Sequence, residues 1–166
     1  MPTTFTITEE DYIKSALLNG ELTRKTKIVH LVIDLLLVAA GFISFIRGDA
    51  SLAYIFIGTA VGAVTAPYLV RLTLTPWLLK RHYKKYRQIQ RPIDAQLTTE
   101  GMFYSTDAGS ALLKWADIFS WRESRDYILI YVAPKMYHVL PTRLTDNGFP
   151  IDKLKSELLN HVGVAT

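Results

Sequence analysis

"IVHLVIDLLLVAAGFISFI", residues Ile28 to Ile46, runs for 19 residues with only His30, Asp34 and Ser44 as polar side chains. A stretch of this length is either a membrane crossing that carries a carboxylate or the core helix of a soluble protein. About 20 apolar residues span the hydrocarbon core of a bilayer as a helix. The segment holds 13 Ile, Leu, Val or Phe residues, each contributing roughly −0.3 to −0.6 kcal/mol to insertion near a helix centre. One Asp at the centre costs about 2.5–3.5 kcal/mol on the same scale, and less toward an end. Insertion wins, and Asp34 does not defeat the reading.

A second uncharged run of 19 residues, Leu52 to Val70, follows the short polar turn "RGDAS". Two such runs, 28–46 and 52–70, predict a transmembrane helical hairpin. Orientation comes from the flanks. Arg24, Lys25 and Lys27 precede the first run, and Arg71, Lys80, Arg81, Lys84, Lys85, Arg87 and Arg91 follow the second. From Ala50 to Ile93 there is not one Asp or Glu. The excess of Lys and Arg beside cytoplasmic ends places both termini inside and the turn near Asp49 outside. No cleavable leader is expected, because the charged N-terminus lacks a cationic start and a small-residue cleavage site.

Within the hairpin, Gly58, Gly62 and Ala66 recur every fourth residue, the spacing that lets helix backbones approach closely in lipid. The first helix of the same chain is the expected partner, and a second copy, hence a homodimer, is the runner-up. Asp34 is expected to meet the partner helix near residues 62 to 66, with Thr65 as hydroxyl donor. A sharper alternative gathers His30, Asp34 and Arg71 into an intramembrane polar cluster.

"TPWLLKRHYKKYRQIQRP" then predicts a separate helix over 71–91, with Thr75 as N-cap and Pro76 at its first position. Leu78, Leu79, His82, Tyr83, Tyr86 and Ile89 share one face, and Lys80, Arg81, Lys84, Lys85 and Arg87 the other. Such a cationic amphipathic helix suits the surface of anionic lipid. Nucleic acid is not expected, since no recognition motif follows.

The N-terminal segment 1–27 reads as a short strand in "TTFTIT", with Phe5 and Ile7 on one side. A helix over "TEEDYIKSALLNG" follows, with Thr8 as its N-cap. After Pro92 the texture changes to about six short runs rich in aromatic and β-branched residues, with turn signals at "TTEG" and "SRD". A last helix follows Pro150, with Ile151, Leu154, Leu158 and Leu159 on one side. Residues 92–166 are therefore expected to form a small, strongly bent antiparallel sheet or partly open barrel, capped by the C-terminal helix. The fold class is α+β.

"LTTEGMFYST", "LLKWADIFSWRESRDYILIYV" and "MYHVLPTRL", with the basic "RHYKKYRQIQ" and the opening "FTITEEDY", resemble the YcxB-like family of bacterial membrane proteins. The resemblance implies a membrane hairpin bearing a cytoplasmic domain of pleckstrin-homology-like fold, and it implies no activity.

No catalytic motif stands out. The chain has no cysteine, which removes thiolate metal sites and cysteine nucleophiles. His30, His82, His138 and His161 lack metal-ligand spacing. Trp115 reads as a packing residue and Asp117 as a turn acceptor, while Arg122, Glu123, Arg125 and Asp126 read as a solvated hairpin tip. No metal, cofactor or enzymatic activity is expected. The leading expectation is a bacterial inner-membrane protein whose cytoplasmic domain docks a protein partner or anionic lipid. Alternatives are an immunity or inhibitory protein against a membrane-acting toxin, or an accessory subunit of a transport system.

Overall fold

A computed structural model describes residues 2–165. The chain divides into two compact units, one formed by Gly20–Leu78 and the other by Met1–Asn19 together with Leu79–Thr166.

The Gly20–Leu78 unit is a helical hairpin. Helix α2 covers Arg24–Ile46, and the Thr23 hydroxyl caps it by accepting from the Thr26 amide. Gly48, at φ 82°, allows the turn, and the Asp49 carboxylate caps α3 (Ala50–Leu69) by accepting from the Leu52 amide at 3.1 Å. Both helices reach about the ~30 Å of a bilayer core at 1.5 Å per residue, with 23 and 20 residues respectively.

The expected helix start at Thr75 is corrected. Thr75 is helical, not a cap, and its amide donates to the Val70 carbonyl through a π-turn over Val70–Leu74. Helix α4 (Thr75–Lys85) thus continues the helical run that begins at Ala50. Pro76 has no N–H and would crowd a carbonyl in a regular helix. The wider π-turn just before it absorbs that misfit.

In the other unit, β1 (Thr3–Phe5), β2 (Ile93–Leu97), β3 (Gly101–Thr106) and β4 (Gly109–Lys114) form an antiparallel sheet in that order. A second antiparallel sheet contains β5 (Ser120–Glu123), β6 (Tyr127–Ala133) and β7 (Met136–Pro141). The turns fall at the expected "TTEG" and "SRD". Gly101 is required there, because a Cβ would lie 2.0 Å from the Leu113 carbonyl oxygen.

The opening strand belongs with this sheet rather than with a separate segment 1–27. Thr3 pairs with Ala95 and Phe5 with Ile93, which buries Phe5 and, just beyond, Ile7. The core joins both sheets to α5 (Ile151–His161). Ala95, Met102, Ile128, Ile130, Leu140, Leu154 and Leu158 are all fully buried. Of the expected apolar face of α5, Leu159 instead points outward at 53% exposure. Strand β6 is buried on both faces, since Ile128 and Ile130 enter the main core while Tyr127, Leu129 and Tyr131 form a second cluster with Leu18 of α1 (Glu9–Asn19). That double burial explains why "YILIYV" reads as nearly continuous apolar sequence.

Candidate functional site

Helix α1 is fixed by a buried carboxylate. Thr8 and Asp11 cap it reciprocally: the Asp11 amide donates to the Thr8 hydroxyl at 3.1 Å, and the Thr8 amide to Asp11 Oδ2 at 2.9 Å. The Asp11 side chain is 2% exposed. Both terminal guanidinium nitrogens of Arg143, Nη1 and Nη2, donate to it, and the Tyr127 hydroxyl donates to Oδ1 at 3.1 Å. Burial pushes the Asp11 carboxyl up, but the Arg143 and Thr8 hydrogen bonds outweigh it and hold the carboxyl below its ordinary 3.8. Burial and the same carboxylate raise the Tyr127 phenol. With its oxygens so fully engaged, Asp11 is an anchor between α1, β6 and the segment after β7, not a general base. Asp11 and Arg143 stand 132 residues apart, and no local signal links them.

The basic segment is partly committed to its own unit. Lys80 pairs with Glu9 at 2.9 Å. Tyr83 donates to the Ile7 carbonyl at 2.8 Å, and its ring meets that of Tyr12 at 5.9 Å. The expected single apolar face is therefore split. Tyr83 and Ile89 turn toward the protein, whereas Leu78, His82 and Tyr86 stay exposed, with His82 and Tyr86 stacked at 5.8 Å. Arg81 is exposed and engaged in an interaction of its own. The helix ends at Lys85, and Arg87 begins a 3-10 turn. Arg91 is bound by both oxygens of Asp107 at 2.9 Å. What is left is a compact exposed group, Lys84, Lys85 and Arg87, which form no ion pair among the described residues.

In the hairpin, the small-residue stripe is not where the helices meet. A Cβ added at Gly58 or Gly62 would find nothing within 4 Å, whereas one at Gly41 would lie 2.9 Å from Ile57 Cγ1 and 3.4 Å from the Ala53 carbonyl oxygen. The buried contact positions are Gly41, Ala53 and Ala60, and Ala66 is exposed with Gly58. Asp34 does lie level with Thr65, in a hollow shared with Val61 and Val64. The Thr65 hydroxyl, however, donates to the Val61 carbonyl of its own helix at 2.8 Å. Arg71 pairs with Glu21 at 3.2 Å. His30 and Asp34 line one hollow and Arg71 an adjoining one, with Lys27, Pro67 and Tyr68 common to both.

Trp115 is buried as expected, donating to the Thr99 carbonyl at 3.1 Å and stacking on His161 at 5.6 Å. The mixed-charge hairpin tip is less free than expected. Arg122 donates to the Leu18 carbonyl at 2.8 Å, and Glu123 pairs with Lys155 at 2.6 Å. Among the described residues no three His, Cys, Asp or Glu side chains come together as metal ligands.

Among the described residues these features define an α+β fold with two antiparallel sheets and five α-helices, of which two are apolar helices that meet the length and composition of membrane spans. Residues 97–158 match the family model of the YcxB-like proteins. The match takes in the strand and turn motifs from Leu97 to Pro141 and most of α5. The hairpin, "RHYKKYRQIQ" and the opening "FTITEEDY" lie outside it. No curated protein and no solved structure matches the chain.

Proposed function

We propose that this chain is a non-enzymatic protein of the bacterial inner membrane, anchored by α2 and α3. Its strand-rich unit, of pleckstrin-homology-like design, docks on the cytoplasmic side against anionic lipid. The observation that carries this reading is the outward surface of the hairpin. Only 6% of the apolar window of α2 is buried, and 11% of that in the run from Ala50 to Lys85. A soluble core helix would be largely covered. Here Leu31, Leu36, Phe42, Ile55 and Leu69 are each about 60% exposed (59%, 65%, 63%, 61% and 62%), and an apolar surface this continuous needs lipid or protein over it. A four-stranded and a three-stranded sheet closed by a C-terminal helix fit the pleckstrin-homology-like reading. The basic flanks favour cytoplasmic termini.

Lys84, Lys85 and Arg87 supply the lipid contact, each worth about 1 kcal/mol near an anionic surface and screened by salt. In nanodiscs containing anionic lipid, full-length protein is expected to exchange the amides of residues 81–91 at least several-fold more slowly than in neutral nanodiscs. High salt or the triple change K84Q/K85Q/R87Q should remove the difference. Equal exchange in both lipids at low salt would overturn the docking role and leave these residues a topological one.

Asp34 has no assigned part in this function. Asp34→Leu removes an insertion penalty of at most about 2.5–3.5 kcal/mol. The variant should reach carbonate-washed membranes at the parent's level or above, read by immunoblot. A fall in inserted protein would instead mean that the carboxylate holds the hairpin together.

A further inference from the structure

The strand-rich unit contains a cleft of about 390 Å³ between α1 and strands of both sheets, within the range typical of small-molecule sites. Phe5, Ile7, Tyr12, Ile89, Ile93 and Val139 supply its walls, and no Lys, Arg, Asp or Glu lines it. It opens to solvent, since Tyr12, Ile89, Ile93 and Val139 are only half-buried. The exposed basic group lies at its rim. Tyr83 donates to the carbonyl of Ile7, a wall residue, at 2.8 Å, and Ile89, another wall residue, packs against the main core. The Gln90 side chain donates to the Tyr83 carbonyl at 2.8 Å and ties these two fastened points together. Lys84, Lys85 and Arg87 fall on the short stretch between them, exposed and without an ion pair among the described residues. Glu9 and Asp107, in the neighbouring elements, are already matched by Lys80 and Arg91.

We propose that cleft and rim together bind a long-chain fatty acid, the chain filling the cleft and the carboxylate meeting Lys84, Lys85 and Arg87. The uncharged walls accept a hydrocarbon chain and exclude its head, because a buried ion without a counter-charge is strongly disfavoured. The chain gains by leaving water and loses little by leaving lipid, since both interiors are apolar. Three exposed cations beside the opening favour an anionic head over a neutral or cationic one. A two-chain lipid would leave its second chain against that charged rim. The inference rests on the reading of Lys84, Lys85 and Arg87 as an anion contact, and it adds a ligand whose chain is held as well as its head.

Palmitate carrying a terminal diazirine provides the probe. In neutral-lipid nanodiscs at low salt, irradiation of the full-length protein should place adducts on cleft residues such as Tyr12, Ile93 and Val139, located by peptide mapping. Unlabelled palmitate should remove these adducts and leave those on α2 and α3, which face bulk lipid and do not saturate, nearly unchanged. Methyl palmitate has the same chain without the charge. At equal mole fraction in the bilayer it should compete about 3- to 10-fold less well, the worth of a few screened surface contacts. The triple change K84Q/K85Q/R87Q alters only exposed side chains, so it should fold and should erase that difference. Cleft adducts that are absent or resist competition would overturn the proposal, and so would a carboxylate preference missing from the parent or surviving in the triple variant. Amide exchange in anionic nanodiscs is read without fatty acid, so the two readings fail separately. Protection of residues 81–91 with no cleft adducts would keep the surface contact and overturn the fatty-acid site alone.

Discussion

Arg143→Met is expected to lower the melting temperature of the strand-rich unit by about 10 °C or more and to change the sign or size of its acid response. Asp11 is 2% exposed and would keep its charge while losing a two-pronged partner. Breaking a fully buried pair costs about 3–5 kcal/mol. Arg143 is itself 47% exposed, so solvent screening reduces this to about 2–3 kcal/mol. At about 4–8 °C per kcal/mol for a unit of this size, the shift is readily measured, with Trp115 and Trp121 as buried fluorescent reporters.

The pH dependence carries the sharper test. In the parent, the folded-state pKa of Asp11 lies below 3.8. Its contribution to stability is therefore complete above the unfolded value of about 3.9 and is lost as pH falls through the folded value. Without Arg143, burial, the largest single influence, is opposed mainly by Thr8, and the folded pKa moves up toward or past the unfolded one. The loss of stability below about pH 4 that this group causes should shrink or reverse in the variant. A variant with the parent's acid profile and unchanged melting temperature would show that the pair does not hold α1.

Why this anchor escaped the sequence while the strands did not is a matter of range. Most strands of the unit announce themselves within ten residues, through apolar, aromatic or β-branched runs broken by "TTEG" or "SRD". The Asp11–Arg143 pair, the Lys80–Glu9 pair and the Tyr83–Ile7 bond join the N-terminal segment to residues after Leu79. Nothing between them in sequence hints that β1 threads into a sheet whose other strands begin at Ile93. The Thr75–Pro76 step failed for a different reason. Its residues are those of a helix start, yet a π-turn carries the same chemistry through a continuous helix.

The Gly58, Gly62 and Ala66 stripe is the clearest case of a pattern that fixes spacing but not direction. Four-residue spacing places three small residues on one face of α3, but only the partner helix decides which face is covered. The covered positions, Ala53 and Ala60, are seven apart, with Ala53 against Gly41 and Ala60 beside the Asp34–Val38 stretch of α2. A Cβ at Gly41 would lie 3.4 Å from that of Phe56, close to the range of about 3.5–4.5 Å found across disulfides. The double change Gly41→Cys with Phe56→Cys is thus expected to close an intrachain disulfide nearly completely in oxidised membranes. The chain has no other cysteine to compete, and a maleimide mass tag would count free thiols directly. Gly41→Cys with Gly58→Cys should leave both thiols free, since nothing approaches Gly58 within 4 Å. Gly41→Leu should loosen the hairpin, because the crowding involves the Ala53 backbone as well as Cγ1 of the stiff, β-branched Ile57, and overpacking of this kind costs about 1–3 kcal/mol. Gly62→Leu should not. If the Gly41–Gly58 pair closed and the Gly41–Phe56 pair stayed reduced, the stripe would be the true interface and α3 would be turned on its axis from the position described.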